Sequence, residues 1–238
     1  MAELPDPPEA GQSCLIPPKR VLIGPQALEG ELVLPPHAQA LIAFAHGSGS
    51  SRLSPRNLQV AHALNELQLG TLLFDLLRPE EALDRNNVFD IDLLGRRVTD
   101  AIEWLDRRPS LAALPLGLFG ASTGAAAALV AAAARPERVF AVVSRGGRPD
   151  LAGASLARVR APTLLIVGGA DAEVLALNRR ALGPLTDQSE LVVVPGATHL
   201  FEERSALERV TQLAGNWFIA HLPGGAASRP RSSEGRSA

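Results

Sequence analysis

The sequence contains only one cysteine, Cys14, in 238 residues. This scarcity excludes an internal disulfide framework and a cluster of thiolate metal ligands. The chain also lacks a large excess of charge, because 23 lysines and arginines nearly balance 25 aspartates and glutamates, for a formal net charge of −2. No whole-protein field therefore attracts nucleic acid or an anionic membrane, and neither is expected as a partner.

The chain further lacks the patterns of a secretory signal and of a membrane span. Its start, "MAELPDPPEAG", has acids and prolines where a signal peptide has basic residues and then an apolar run. The alanine-rich run after Ser122 is closed by Arg135-Pro136, and no apolar stretch is long and uninterrupted enough to span a bilayer. These absences predict a soluble, cytoplasmic protein.

Composition divides the chain into three parts. Residues 1–18 carry five prolines and few large apolar side chains, which predicts a flexible leader, and the Gly-, Ser- and Arg-rich segment 224–238 is predicted to be a disordered tail. Hydrophobic residues make up 46% of the chain and charged residues 20%, an ordinary globular profile. Residues 19–223 are therefore expected to form one domain.

Short apolar runs alternate with longer amphipathic ones across this domain. Two early strands followed by repeated strand–helix alternation predict an open, mostly parallel sheet of about eight strands with helices on both faces. The expected strands are 21–23, 31–34, 40–45, 71–76, 115–119, 139–144, 163–167 and 191–194. The expected helices run from Ser54-Pro55 to Gly70, over 91–105, from about Ser122 onward, over 174–182 and over 205–221.

A serine between two glycines follows the fifth expected strand. Gly120-Ala121-Ser122-Thr123-Gly124 fits the G-x-S-x-G pattern, in which the glycines allow a sharp turn that exposes the serine hydroxyl. A helix starting after Ser122 directs the Thr123 amide toward a developing oxyanion. The pattern predicts Ser122 as a nucleophile, and the alternative is a small residue in a tight turn.

Two further polar residues follow later strands. Asp171 comes after the seventh expected strand in "LLIVGGADAEV", and His199 after the eighth in "VVVPGATHLFEE". Taken alone, Asp171 fits the N-cap of the next helix, and His199 fits a solvated loop residue. Ligand sites in open parallel sheets lie beyond the carboxyl ends of the strands, where all three residues are expected. The chain order Ser, Asp, His is that of α/β-hydrolases and differs from the two protease orders, so the sequence predicts a Ser–His–Asp triad.

The loop after the third expected strand, "FAHGSGSS", offers a second oxyanion donor. Ser48, which follows His46-Gly47, is the candidate for this backbone amide. His46 is expected to be a structural hydrogen-bonding residue rather than a second base. The loop lacks the Lys-Ser/Thr ending of a P-loop and the spacing of a dinucleotide fingerprint, which disfavours a phosphate cradle.

With these segments the chain resembles the α/β-hydrolase superfamily, and within it the dienelactone-hydrolase-like branch. The resemblance spans about residues 21–222 and rests on "AHGSGSS", "GLFGASTGAA", "LLIVGGADAEV" and "VVPGATHLFEE". Dienelactone hydrolases proper use a cysteine nucleophile where this chain has Ser122, which favours a general carboxylesterase. Only residues 145–162 separate the sixth strand from the acid segment, so no large cap domain is expected, and the site is expected to be open and suited to small acyl esters.

The resemblance implies acyl transfer to water through an acyl-enzyme intermediate. Ser122 would attack the carbonyl of a small-molecule ester, and His199 would take its proton while Asp171 orients the imidazole. The amides of Thr123 and Ser48 would hold the oxyanion. The resemblance implies no metal and no organic cofactor.

Three alternatives stay open at this stage. An acyltransferase or a peptidase on the same fold differs only in the acceptor or the leaving group. A non-catalytic hydrolase-like binding or regulatory domain is the third, although all the triad positions are filled. A homodimer is also open, and similar domains look as though they can be fused to phosphoribosyltransferases, which allows a role in a larger assembly.

Two arginines follow the sixth expected strand in "VVSRGGRPDL". Arg145 and Arg148 could bind a substrate carboxylate or phosphate through a guanidinium fork. They could instead pair with Asp150 or Asp171 and brace the loops, which is the preferred interpretation. Asp75, which ends "TLLFD", is expected to brace a neighbouring loop.

Overall fold

A computed structural model describes residues 16–203 and 205–224. Most of the expected leader, with Cys14, lies outside the described residues, as does the expected tail from residue 225 onward. The division of the chain into leader, domain and tail therefore stays a prediction.

The domain is built on one eight-stranded sheet, which confirms the predicted architecture. The strand order is β1-β2-β4-β3-β5-β6-β7-β8, and only the pairs β1–β2 and β2–β4 are antiparallel. The parallel strands therefore all end at one edge of the sheet, where the loops after β3 and after β5 to β8 meet. The strands are β1 (Lys19–Ile23), β2 (Leu28–Val33), β3 (Ala40–Ala45), β4 (Leu69–Phe74), β5 (Leu116–Ala121), β6 (Val139–Arg145), β7 (Thr163–Gly168) and β8 (Glu190–Val194).

Helices cover both faces of this sheet. Five of them match the expected helices, whereas α2, α4 and the 3-10 segment Glu81–Leu83 are too short to produce a periodic pattern. The 3-10 segment Pro149–Arg158 is interrupted by a non-helical conformation at Gly153. No helix in the described part of the chain is long and apolar enough to cross a membrane. The helices are α1 (Pro55–Glu66), α2 (Arg85–Phe89), α3 (Ile91–Asp106), α4 (Pro109–Ala112), α5 (Thr123–Ala134), α6 (Ala172–Leu182) and α7 (Ala206–Ala220).

Two apolar cores lie on the two faces of the sheet. One packs α3 and α5 against the strands, and the other packs α1 and α7. Gly95 of α3 allows a close approach to α5, since a Cβ at this position would lie 2.6 Å from Cγ1 of Val130. This tight packing holds the start of α5 against the carboxyl edge of the sheet.

The start of α1 is as predicted, but its end and the start of β4 differ from expectation. Ser54 caps α1, and Pro55 is its first residue. The helix ends at Glu66 rather than at Gly70, because Gln68 adopts a left-handed conformation (φ 59°) that turns the chain into the sheet. Gly70 lies inside β4, where a Cβ would come within 2.8 Å of Leu34, so this glycine serves strand packing rather than helix termination.

No cap-sized insertion interrupts the described domain. Between β6 and β7 the chain forms only the short 3-10 segment Pro149–Arg158. The carboxyl edge of the sheet is therefore bordered by loops and by the first turns of helices, without a cap domain.

Candidate active site

Ser122 lies in a strained turn between β5 and α5. Its backbone has φ 51° and ψ −122°, a conformation that non-glycine residues rarely adopt. The turn needs both flanking glycines: a Cβ would lie 2.4 Å from Cα of Ala125 at position 120, and 2.2 Å from the carbonyl oxygen of Ala45 at position 124. This close backbone packing around the two glycines holds the half-buried Ser122 side chain at the carboxyl edge.

His199 joins Ser122 to Asp171. Its Nδ1 lies 2.8 Å from Oδ2 of Asp171, and its Nε2 lies 3.3 Å from Oγ of Ser122. With the proton on Nδ1, the imidazole donates a hydrogen bond to the Asp171 carboxylate. Its other nitrogen, Nε2, is then free to accept a hydrogen bond from the Ser122 hydroxyl. The loops after β5, β7 and β8 thus bring together the three side chains that the sequence predicted as a triad.

Asp171 uses its two carboxylate oxygens for different tasks. Oδ2 faces His199, and Oδ1 accepts a hydrogen bond from the amide of Val174 at 3.4 Å, which caps α6. The Asp171 side chain therefore fills both of the roles considered for it, as the N-cap of α6 and as the partner of His199. The cap fixes the carboxylate, which in turn orients the imidazole ring.

The two expected oxyanion donors are linked to each other. Thr123 is the first residue of α5, so its amide has no acceptor within the helix. The amide of Ser48 donates to Oγ1 of Thr123 at 2.9 Å, and this differs from the free amide that the sequence led us to expect. Gly47 brings the loop close, since a Cβ there would lie 3.0 Å from Cβ of Ser122.

His46 connects the ends of β3 and β4. Its Nε2 accepts the amide hydrogen of Leu76 at 3.1 Å, and its Nδ1 lies 3.0 Å from the carbonyl oxygen of Gly47, to which it donates. Burial lowers the pKa of His46, so the neutral ring that these two bonds require is favoured. His46 is hydrogen-bonded within the scaffold, and no hydrogen bond joins it to Ser122 or His199.

Asp75 braces the loop that carries Ser48. Its Oδ1 accepts from the amide of Arg52 at 2.8 Å, and its carboxylate pairs with the Arg52 guanidinium, which also contacts Glu29. These contacts hold the far end of the loop against β2 and β4.

The two arginines after β6 behave differently. Arg148 forms a two-point ion pair with Asp150, with Nε to Oδ1 at 2.9 Å and Nη2 to Oδ2 at 2.8 Å, in line with a bracing role. Arg145 is buried, and among the described residues its guanidinium has no carboxylate within 4.0 Å, while Nη1 has no hydrogen-bond partner. The pairing that we expected for Arg145, with Asp150 or Asp171, is therefore absent.

A cleft of about 660 Å³, here called the Ser122 cleft, opens at this edge. It is bounded by the loop 47–51, the start of α1, Ser122 with Arg145, and the loop at 199–200. Arg56 also lines it, and sequence reasoning overlooked this residue. Its position in the first turn of a helix that follows β3 was the available signal, because that turn lies at the carboxyl edge.

Asn178 is a second residue that sequence reasoning missed. It is fully buried in α6, and its Nδ2 donates to the carbonyl oxygens of Gly147 at 2.9 Å and Val174 at 2.8 Å. It ties the loop that follows Arg145 to the helix that Asp171 caps. Nothing in the sequence distinguishes it from an amide on the helix surface.

The fold and much of the sequence match solved structures of hydrolases. No protein-family model matches the chain. A dienelactone hydrolase from Anabaena variabilis is 53% identical, with a TM-score of 0.83, over 87% of this chain and 99% of that one. Est1E from Butyrivibrio proteoclasticus has a TM-score of 0.71 at 15% identity, over 87% of this chain and 99% of that one, a likeness of fold.

Two curated proteins also match, both from Mycobacterium tuberculosis and both named "Putative phosphoribosyl transferase". Each is 58% identical over 205 residues, which is 86% of this chain and 46% of the relative. The chain therefore spans about half the length of these relatives. Because the Anabaena structure is matched over nearly its whole length at 53% identity, the chain belongs to the dienelactone-hydrolase-like branch of the α/β-hydrolase superfamily.

Proposed function

We propose that this domain is a serine hydrolase that cleaves small carboxylic esters through an acyl-enzyme intermediate. The observation that carries the proposal is the continuous row of contacts from Oγ of Ser122 through His199 to Asp171. A nucleophile, a base and an orienting carboxylate in this order are the parts that acyl transfer to water requires.

In the first half of the reaction, Ser122 Oγ attacks the ester carbonyl carbon as its proton moves to Nε2 of His199. The carboxylate of Asp171 stabilises the imidazolium that forms. The tetrahedral intermediate then collapses, and the imidazolium gives its proton to the leaving alcohol. In the second half, His199 takes a proton from water as the water oxygen attacks the acyl carbon. The bond from that carbon to Ser122 Oγ then breaks, the carboxylic acid leaves, and the imidazolium returns its proton to Oγ.

The negative charge on the carbonyl oxygen is met by backbone amides. The Thr123 amide is available at the start of α5, where the partial positive charge of the helix adds to its effect. The Ser48 amide would be the second donor, sharing its hydrogen between the Thr123 hydroxyl and the oxyanion. Both donors belong to elements held in place before substrate binds.

Water is the acceptor in this proposal. The Ser122 cleft is bounded by loops and by the start of α1, and no cap-sized insertion of the described domain covers it, so solvent reaches the acyl-enzyme and favours hydrolysis over transfer to another acceptor. The match to a dienelactone hydrolase supports ester chemistry, and the serine in place of cysteine supports a carboxylesterase. We do not assign phosphoribosyl transfer to this segment, which covers 46% of the relatives that carry that name.

A fluorophosphonate probe tests the proposal directly. It should label the wild-type protein and should fail to label Ser122→Ala, while Ser155→Ala, which removes a serine outside the cleft, keeps the label. The same proteins are assayed with 4-nitrophenyl acetate and butyrate. Absence of both labelling and hydrolysis in the folded wild type would rule out the hydrolase.

A further inference from the structure

We propose that the Ser122 cleft contains a subsite for a small oxyanion group, formed by the guanidinium of Arg145 with Arg56 beside it. The substrate would then be an ester that also carries a carboxylate or a phosphate. This inference rests on the proposed function, since it names the substrate class of the same site.

Arg145 is tied to the candidate nucleophile by the sheet. It is the last residue of β6 and pairs with Ala121, the residue before Ser122, on β5. Its carbonyl oxygen accepts the Ser122 amide hydrogen at 3.3 Å. The side chain lines the cleft together with Ser122 and His199, so a group held by Arg145 shares one cavity with the reacting atoms.

The Arg145 guanidinium is buried without a counter-charge. The residue is 8% exposed, and Nη1 has no hydrogen-bond partner among the described residues. Burial, with the neighbouring charge of Arg56, lowers the pKa of Arg145 to about 10, so the group is still charged at neutral pH. A buried, unpaired charge is costly to a fold, and an anionic ligand would offset that cost.

Arg97, the second buried arginine of the described domain, does have a carboxylate partner. Arg97 is buried to the same degree, at 7% exposure, and its guanidinium contacts Glu81 at 2.8 Å. Arg148, three residues beyond Arg145, has its two-point pair with Asp150. Of the two buried arginines in the described domain, the one without a carboxylate partner is therefore the one that lines the Ser122 cleft.

The other polar groups that line the cleft also favour an anionic ligand. Arg56 pairs with exposed Glu202 through Nη1 at 3.2 Å, but its Nε is buried without a partner. No aspartate or glutamate is among the described residues that line the cleft, whereas serines are frequent in the loop 47–54. The cleft is thus lined by two guanidinium groups and several hydroxyls, and its lining residues include no carboxylate. Such a lining favours an oxyanion as ligand, because a guanidinium binds an oxyanion through two parallel hydrogen bonds.

Binding is tested first in the Ser122→Ala protein, where turnover does not interfere. Sodium succinate and sodium phosphate, each against sodium chloride at equal ionic strength, are titrated by calorimetry and by thermal melting. An anion that binds the subsite should raise the melting temperature. If succinate binds more tightly, the group recognised is a carboxylate, and if phosphate binds more tightly, it is a phosphate.

Variants of Arg145 and Arg148 then locate the site. In the Ser122→Ala background, Arg145→Met should weaken binding of the preferred anion about 10- to 100-fold. Arg145→Lys, which keeps the charge but not the fork, should retain part of the affinity. Arg148→Met, which removes an equal charge from the same loop outside the cleft, should bind like its parent.

The same anion should inhibit hydrolysis of 4-nitrophenyl butyrate competitively in the wild type. If neither anion binds Ser122→Ala more tightly than chloride does, or if folded Arg145→Met and Arg145→Lys bind as the parent does, the subsite is excluded. That result is distinct from failure of the hydrolase, which is read from fluorophosphonate labelling and 4-nitrophenyl ester hydrolysis by the wild type.

Discussion

The amide of Ser48 donates a hydrogen bond to the hydroxyl of Thr123, 2.9 Å away and 75 residues on in the sequence. This contact joins the glycine-rich loop after β3 to the first residue of the helix that follows Ser122. It determines where the second amide of the proposed oxyanion hole lies before substrate arrives. Its removal tests whether that position matters.

Thr123→Val, which keeps the shape but removes the acceptor, should lower kcat for 4-nitrophenyl butyrate roughly tenfold, with little change in KM. The effect is smaller than the factor of about 10² to 10³ that the loss of a whole oxyanion donor costs, because the Ser48 amide is still present but no longer held. Thr123→Ser restores the hydroxyl and should restore kcat. If the valine and serine variants have equal kcat values, the contact has no role in the reaction.

Asp171 allows its two tasks to be separated. Asparagine caps helices as well as aspartate does, so Asp171→Asn should keep the free energy of unfolding within about 0.5 kcal/mol of wild type. It cannot hold His199 in the required tautomer, and kcat should fall by up to about 10⁴. Asp171→Ala loses the cap as well and should cost about 1 kcal/mol of stability. Wild-type activity in a folded Asp171→Asn protein would mean that another acid orients His199.

The fold was predictable because its buried strands are short apolar runs bounded by helical patterns. One boundary error occurs where a single backbone conformation decides the boundary: the left-handed Gln68 lets β4 begin at Leu69, and Gly70 serves packing between strands. A glycine in sequence does not tell whether it ends a helix or makes room for Leu34.

The positions of Ser122, Asp171 and His199 were also predictable, because parallel topology sends every strand end to one edge. The different surroundings of Arg145 and Arg148 were not. Both follow β6, but whether a guanidinium meets a carboxylate or an empty cavity depends on side-chain direction and on what the neighbouring loops leave open. Both depend on how the loops pack at the carboxyl edge of the folded sheet, which the sequence pattern does not show.

His46 makes the stability of the fold depend on pH. Burial holds its pKa below that of the unfolded chain, so the neutral form is favoured in the native state. Its contribution is fully present above about pH 6.5, the unfolded value, and is lost as pH falls through and below it. The stability advantage of wild type over His46→Gln, measured by urea unfolding, should therefore shrink between pH 7.5 and pH 5.

His62→Gln, at an exposed histidine, is the matched control for the loss of an imidazole. A difference between wild type and His46→Gln that is constant across this pH range would show that His46 protonation is not linked to unfolding.

Arg145 and Arg97 should respond in opposite directions to the same substitution. Arg145→Met replaces an unpaired buried charge by an apolar chain of similar length, so the free energy of unfolding should rise by about 1 kcal/mol or more in anion-free buffer. Arg97→Met removes the closer of two arginines that contact Glu81, the other being Arg78, and should lower the free energy of unfolding by about 1 kcal/mol or more. Both are measured by urea unfolding at pH 7.5. A loss of stability in Arg145→Met would mean that its guanidinium supports the fold, and a gain means that this charge is kept at the expense of stability, as expected of a group that binds a ligand.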